Sequence, residues 1–476
     1  MKIYKNRGIH KIWLTGFFLF FIILTYLSSN NFFFWDTVQL GSRHAHFFYE
    51  NNFSRLLLPD NIDSGHIPTF GMYLAFTWFL FGKTLFVSHF AILPFTLGIV
   101  YQLYILLHKF ISDKYIFLAL TLVVADPTFL SQTLLVGPDI PLMFFFLLAL
   151  NSVFKNNRII LSVAVVGLFL LSMRGMMISI AILAFDIYTN IKYQKIKETF
   201  FLLLKRSMIY YPALIVFLFY NIYHYYIKSW IGYHEDSPWA GSFERVGLLG
   251  FLKNIIVFIW RMLDFGRIFL WIAALFITFK VFKSIKKDKK IRKLLFLFII
   301  MSASLLISFL SYKNLSGHRY ILPIYLIFAI IVSYLIFEKL NNTKFKYIIF
   351  SIVFVGLITG NLWVYPEKYS QGWDASLAHI HYYKLHEEMK NYIQSRGIKS
   401  EDVGSVFPNT TPDKFVYLNS EKRVYANKNL NKNKYIFYSN VFNDFSDADI
   451  EILQTDFIEI EVRESWGVFV KLYKKK

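Results

Sequence analysis

The chain has no cysteine. Disulfides, thiolate zinc sites, iron–sulfur clusters and a cysteine nucleophile are thereby excluded, and zinc would have to rely on histidine and carboxylate. Charge is also scarce: 17% of residues are charged, against about 25% in an ordinary soluble chain. The signatures of soluble nucleotide and hydrolase chemistry are missing. There is no P-loop, no GxGxxG opening a helix, no HExxH and no GxSxG.

Apolar residues fill the space. Of the 476 residues, 56% are hydrophobic, above the roughly 45–50% of soluble domains. One membrane-spanning helix takes about 20 apolar residues, so the surplus lines about ten spans. A soluble globular domain and a disordered chain are both excluded. The formal net charge is +20, yet residues 365–476 carry 16 basic and 16 acidic side chains. The excess therefore lies in the apolar part, where it reads as positive loops facing anionic lipid rather than as a nucleic-acid surface.

The N-terminus is basic (MKIYKNRGIHK), and the 16 residues 12–27 that follow are apolar. No small-x-small cleavage site comes after them, so a retained first span with a cytoplasmic N-terminus is expected. Basic clusters at 109–114, 155–158, 192–206, 280–293 and 339–346 mark the other inner loops. Between them lie apolar runs near 12–28, 88–108, 115–131, 139–154, 159–173, 175–190, 208–227, 256–279, 294–312, 320–337 and 347–364. Eleven spans place the C-terminus outside. The 16 residues 67–82 are short for a span, and a crossing there would invert every later loop. They are expected at the outer surface as an interfacial helix.

The first outer loop is then long, 29–87, and a second covers 228–254. The expected fold class is mainly α: a polytopic membrane domain over 1–364, with juxtamembrane helices in its first outer loop. A small extracytoplasmic α/β domain over 365–476 follows, since charges there become dense and balanced. Helices are expected at 376–396 and 448–454, and strands at 403–407, 435–438, 457–462 and 468–472.

Polar groups at a membrane are costly and so are functional candidates, and here they concentrate on the outer side. Asp36 follows the aromatic run FFFW; it suits a general base or a cation ligand, or a cap for the helix after it. Arg43, His44 and His46 lie on that helix, on a face that is polar or headgroup-facing. His66 sits in the turn DSGHIP, where Asp63 or Ser64 can cap the next helix and His66 can meet a phosphate. Asp139, in GPDIPL, stands at a helix N-terminus, where the dipole favours it. Arg174 interrupts a long apolar stretch and requires a carboxylate or phosphate partner. Arg319 lies beside His318 in SGHRYILPIY; it is either an interfacial snorkelling residue or, with Arg174, part of a phosphate-binding set.

These pieces, in this order, resemble the GT-C glycosyltransferases, the protein O-mannosyltransferase and lipid A aminoarabinose transferase branch in particular. The likeness covers about 1–360. It rests on Asp36 in WDT, on GHIPTFGMYLAFTWFLFG (65–82), on GPDIPLMFFFLLAL (137–150) and on RYILPIY (319–325). The resemblance implies an inner-membrane enzyme with an outward-facing site. It implies a polyprenyl-phosphate sugar as donor and a protein, glycolipid or surface glycan as acceptor, with no nucleic-acid partner. Asp36 takes the base role, and Asp139 matches a second carboxylate that shapes the site or a metal site. His66 stands where the family often has lysine on the lipid phosphate. Arg43, Arg174, His318 and Arg319 complete the expected phosphate-binding set. No cofactor is required, and a divalent metal ion is left open; Asp-Thr replaces the commoner Asp-Glu of the first motif. An O-antigen-type polymerase or ligase, and a lipid-linked sugar transporter or flippase, remain as alternatives.

Overall fold

The computed structural model describes residues 2–190, 196–369, 371–419, 423–442 and 444–476. Lys192 and Lys195, part of the third expected basic cluster, lie outside the described residues. The chain is a multi-pass membrane protein with the expected mainly helical architecture. By length and apolar composition, seven described helices can cross a membrane, from Gly8–Ser28 to Thr343–Gly360. The expected run 115–131 is an eighth only as a bent pair, Asp113–Val124 and Pro127–Leu134, which meet at 69°. The cause is local. Pro127 lacks the amide that would continue the first helix, and Asp126 instead accepts from the amides of Thr128 and Phe129 to start the second.

Three further expected spans are helices of 17, 14 and 18 residues: Asp139–Lys155, Arg158–Leu171 and Met173–Asn190. The expectation at 256–279 needs correction. A helix Leu248–Leu263 stops at Asp264, and the long apolar helix is Ile268–Lys286. Phe265 and Gly266 turn the chain with positive φ (49° and 79°), and Gly266 lies so close to Gly356 that a Cβ would fall 1.9 Å from its carbonyl oxygen. The run therefore cannot be one straight helix, and the loop after Lys228 leads into an amphipathic helix instead. The 67–82 run forms Thr69–Phe81, 13 residues long. At 1.5 Å per residue that is about 20 Å, short of a roughly 30 Å hydrocarbon core.

Leu322–Tyr334 is buried at every position and forms the axis of the bundle. One end of the bundle gathers the N-terminal helix and the basic loops. There His10 bonds Tyr104 (2.9 Å), Tyr334 donates to Asp288 (2.6 Å) and the Ser112 amide donates to Glu338 (2.8 Å). The chain after Gly360 packs at the end where the first helix stops, and the Phe33 amide donates to the Val416 carbonyl at 2.8 Å.

That C-terminal part is a five-stranded sheet of order β2-β1-β3-β5-β4. Its strands are β1 (Val403–Ser405), β2 (Ala426–Asn427), β3 (Tyr435–Ser439), β4 (Phe457–Ser465) and β5 (Val468–Lys475). β1 is parallel to β2 and β3, while β5 runs antiparallel to β3 and β4. The helices Ile380–Ser395 and Asp447–Asp456 accompany it. All four expected strands are present; β2, two residues long, has no readable pattern.

Candidate active site

The end of the bundle near the sheet carries a cavity of about 210 Å³. Asp36, His66, Arg174 and Tyr320 line it, together with Met173, Trp239 and other apolar side chains. Each polar residue arrives from a separate segment. Asp36 follows Trp35, which is held at positive φ (43°) before a wide π-helical turn, Thr37–Arg43. The Asp36 side chain makes no capping bond to that turn, so the capping role is not taken and its carboxylate is left for other contacts. Asp139 and Arg174 both lie in the first turns of their helices.

Arg319 organises the group. Its Nη2 pairs with Asp36, its Nε stands 3.3 Å from Asp374 and its Nη1 stands 3.9 Å from Asp139. Nη2 also donates to the Tyr320 hydroxyl at 3.0 Å. Arg174 donates to Asp139 (2.6 Å) and to the Arg319 carbonyl (3.3 Å), and its guanidinium lies 4.6 Å from the Tyr320 ring centre. Three carboxylates and two guanidiniums thus form one connected, partly buried network, of which Asp36 and Arg174 line the cavity. Burial raises the Asp374 carboxyl above the usual range; Arg319 opposes that, while Asp36 and Asp139 add to it. Among the described residues no group of three or more histidines and carboxylates is arranged to hold a metal ion, and the three aspartates here converge on a guanidinium instead.

His66 lines the cavity, and its Nδ1 lies 3.3 Å from the Ser64 carbonyl. Burial lowers its pKa below the ordinary value, which favours the uncharged imidazole. Neither Asp63 nor Ser64 caps the helix after it; the N-cap is Pro68. Asp63 instead ties this loop to the end of the helix Tyr211–Lys228: it bonds His224 (3.1 Å) and Lys228 (2.6 Å), and the Gly65 amide donates to it (2.9 Å).

Two expected phosphate ligands stand apart from both the cavity and this charged network. His318 is fully buried and bonds Asp264 through Nε2 at 2.7 Å, because the helical turn after Gly317 sends neighbouring side chains to opposite sides. Asp264 also accepts from Tyr365 and pairs with Arg261 (3.3 Å). Arg43 reaches Gln39 (2.9 Å) and the face of Phe415 (5.9 Å), one turn along its own helix and against the C-terminal part.

Sequence reasoning missed Asp374, although Trp373-Asp374 repeats the Trp35-Asp36 pair. It also missed Asp126 and Arg267, which form a buried two-pronged pair (2.7 and 2.8 Å) beneath the site. Charges inside the runs 115–131 and 256–279 were the available signal.

No protein-family model matches the chain, and no curated protein matches it in sequence. Two solved structures do match in fold. ArnT from Cupriavidus metallidurans bound to undecaprenyl phosphate aligns with a TM-score of 0.54 at 10% identity, covering 97% of this chain and 98% of that one. The same protein in the apo state aligns with a TM-score of 0.53 at 11% identity, covering 96% and 98%. The chain therefore has, over nearly its whole length, the GT-C-like membrane fold that its sequence motifs resemble.

Proposed function

We propose that this chain is a membrane glycosyltransferase that moves a sugar from a polyprenyl-phosphate donor to an acceptor on the outer side of the cell membrane. Its N-terminus then lies in the cytoplasm, and the sheet lies outside. The observation that carries this reading is one cavity lined by Asp36, whose carboxylate makes no capping bond, by Arg174 and by apolar side chains, with Arg319 paired to Asp36. Such an apolar lining suits a lipid chain, and guanidinium forks suit phosphate oxygens. The fold shared with a structure bound to undecaprenyl phosphate supports the donor class.

In this reading Arg319 and Arg174 bind the donor phosphate. The bond from sugar C1 to the phosphate oxygen breaks, and its electron pair leaves with the polyprenyl phosphate. The acceptor oxygen attacks C1 through an oxocarbenium-like transition state, and Asp36 takes the acceptor proton. The guanidiniums stabilise the departing charge. A single displacement inverts the anomeric configuration, so an NMR spectrum showing a retained anomer would rule it out.

The test is transfer in proteoliposomes from a panel of labelled polyprenyl-phosphate sugars to cell-envelope extracts. Donor-dependent labelling of an acceptor supports the reading. Donor movement across the bilayer without any bond cleavage would replace it with a transporter.

A further inference from the structure

Arg319 is held along three edges by carboxylates from three distant segments, and one of those segments follows the last long apolar helix. We infer that Asp374, delivered by the connection between the bundle and the sheet, is a positioning residue that aims the Arg319 guanidinium at the donor phosphate. The inference rests on the glycosyltransferase reading above.

Asp374 is not a loosely placed surface group. Trp373 before it and Ala375 after it are buried. The Asp374 carbonyl accepts from the Gln132 amide at 2.9 Å, and the Ala375 carbonyl accepts from the Thr128 hydroxyl at 3.1 Å. Thr128 in turn accepts from Arg267 at 2.6 Å, so the segment is moored on the buried Asp126–Arg267 pair. The Asp374 carboxylate faces Arg319 Nε, the one edge of a guanidinium that cannot join the two-pronged face formed by Nη1 and Nη2. Holding Nε fixes the direction of the other two nitrogens without using them. A phosphate that takes Nη2 displaces Asp36, the proposed base, from its ion pair. Asp374 then keeps the guanidinium from following the base or swinging into the apolar wall.

A positioning role and a plain charge effect give opposite signs. Asp374 is negative and close to the phosphate site, so charge alone predicts that every neutral substitution tightens binding. Positioning predicts a split. Asn keeps the shape of the side chain and an oxygen facing Nε; Ala keeps neither.

The experiment uses the full chain in nanodiscs with undecaprenyl phosphate as the probe, reading its dissociation constant. Wild type is expected to bind, and Arg319→Ala to weaken binding. Asp374→Ala is expected to weaken it by about 10-fold or more, as supporting residues around a site commonly do. Asp374→Asn is expected to bind as tightly as wild type or more tightly. In the Arg319→Ala background, Asp374→Ala should add nothing, a coupling that a purely structural role would not produce. Should Asp374→Ala fail to fold, Asp374→Glu keeps the charge but shifts the carboxylate by one methylene, and the same 10-fold weakening is expected. Binding by Asp374→Ala that equals or exceeds wild type, or losses that simply add to those of Arg319→Ala, would overturn the inference and leave the glycosyltransferase reading intact. Absence of binding by wild type itself would overturn that reading, and this inference with it.

Discussion

Arg319 is ion-paired with Asp36 across 283 residues of chain. The residue proposed to bind the donor phosphate thus neutralises the residue proposed to take the acceptor proton. A carboxylate held this way has its oxygen engaged until its partner finds another anion. On the proposed function, donor binding would release the base, and the donor would bind before the acceptor is deprotonated.

Replacing Asp36 with Asn tests the base directly. The change keeps the shape and removes the proton acceptor. Turnover should fall by about 10²- to 10⁴-fold, the usual worth of a positioned base. Undecaprenyl phosphate binding should stay within a few-fold of wild type, because Arg319 keeps Asp139 and Asp374. Unchanged turnover would move the base elsewhere.

The Asp126–Arg267 pair is predicted to matter for stability. Both side chains are about 1% exposed. Removing one partner leaves a buried charge, which costs about 3–5 kcal/mol. Arg267→Met should therefore lower the unfolding temperature in detergent sharply, and Asp126→Asn should do the same. The double change to Arg267→Met with Asp126→Leu should recover much of the loss. A double variant as unstable as the sum of the two singles would count against this.

The contact between the Asp63 loop and the segment around Lys228 should open in acid. Burial works to raise the Asp63 carboxyl, but His224, Lys228 and the Gly65 amide outweigh it and hold it below the ordinary value. A depressed folded-state value stabilises above the unfolded value of about 3.9, and that stability is lost as the pH falls through the folded-state value. Trp230, which donates to Asp60 at 3.1 Å, reports on the contact. Its fluorescence should be constant at neutral pH and change below about pH 4. In Lys228→Met the change should begin at higher pH.

Gly65 is the tightest point of the same contact. It has φ +74°, and a Cβ there would lie 2.3 Å from the Gly232 carbonyl oxygen. Gly65→Ala is therefore expected to separate the loops and displace Ser64 and His66 from the cavity wall. Undecaprenyl phosphate binding should weaken, with little change in the overall helix content seen by circular dichroism. Wild-type affinity in this variant would show that the loop contact does not shape the cavity.

The bundle was legible because apolar runs and basic loops follow from the bilayer itself. Asp36, Asp139, Arg174 and Arg319 were legible because charge at a membrane needs a reason. The break at Asp126–Pro127 carries a familiar signal, a capping residue before proline, but the apolar run around it concealed the break. The turn at Asp264–Gly266 was concealed in the same way. His318 was placed with Arg319 by adjacency, and a helical turn separates neighbours. Asp374 was out of reach, since its contact is with a residue 55 positions earlier and no local pattern encodes it.

The mooring of residues 373–375 has a consequence for biosynthesis. A chain that emerges from its N-terminus builds Asp36, Asp139, Arg174 and Arg319 first, and it can pair them as soon as residues 318–339 are in place. The third edge of Arg319 stays open until the segment beyond Gly360 has been made and has seated itself against Thr128 and Gln132. A partly synthesised chain would then hold its charges together without a fixed guanidinium. On the proposed function, competence for transfer would thereby be tied to the last stage of assembly.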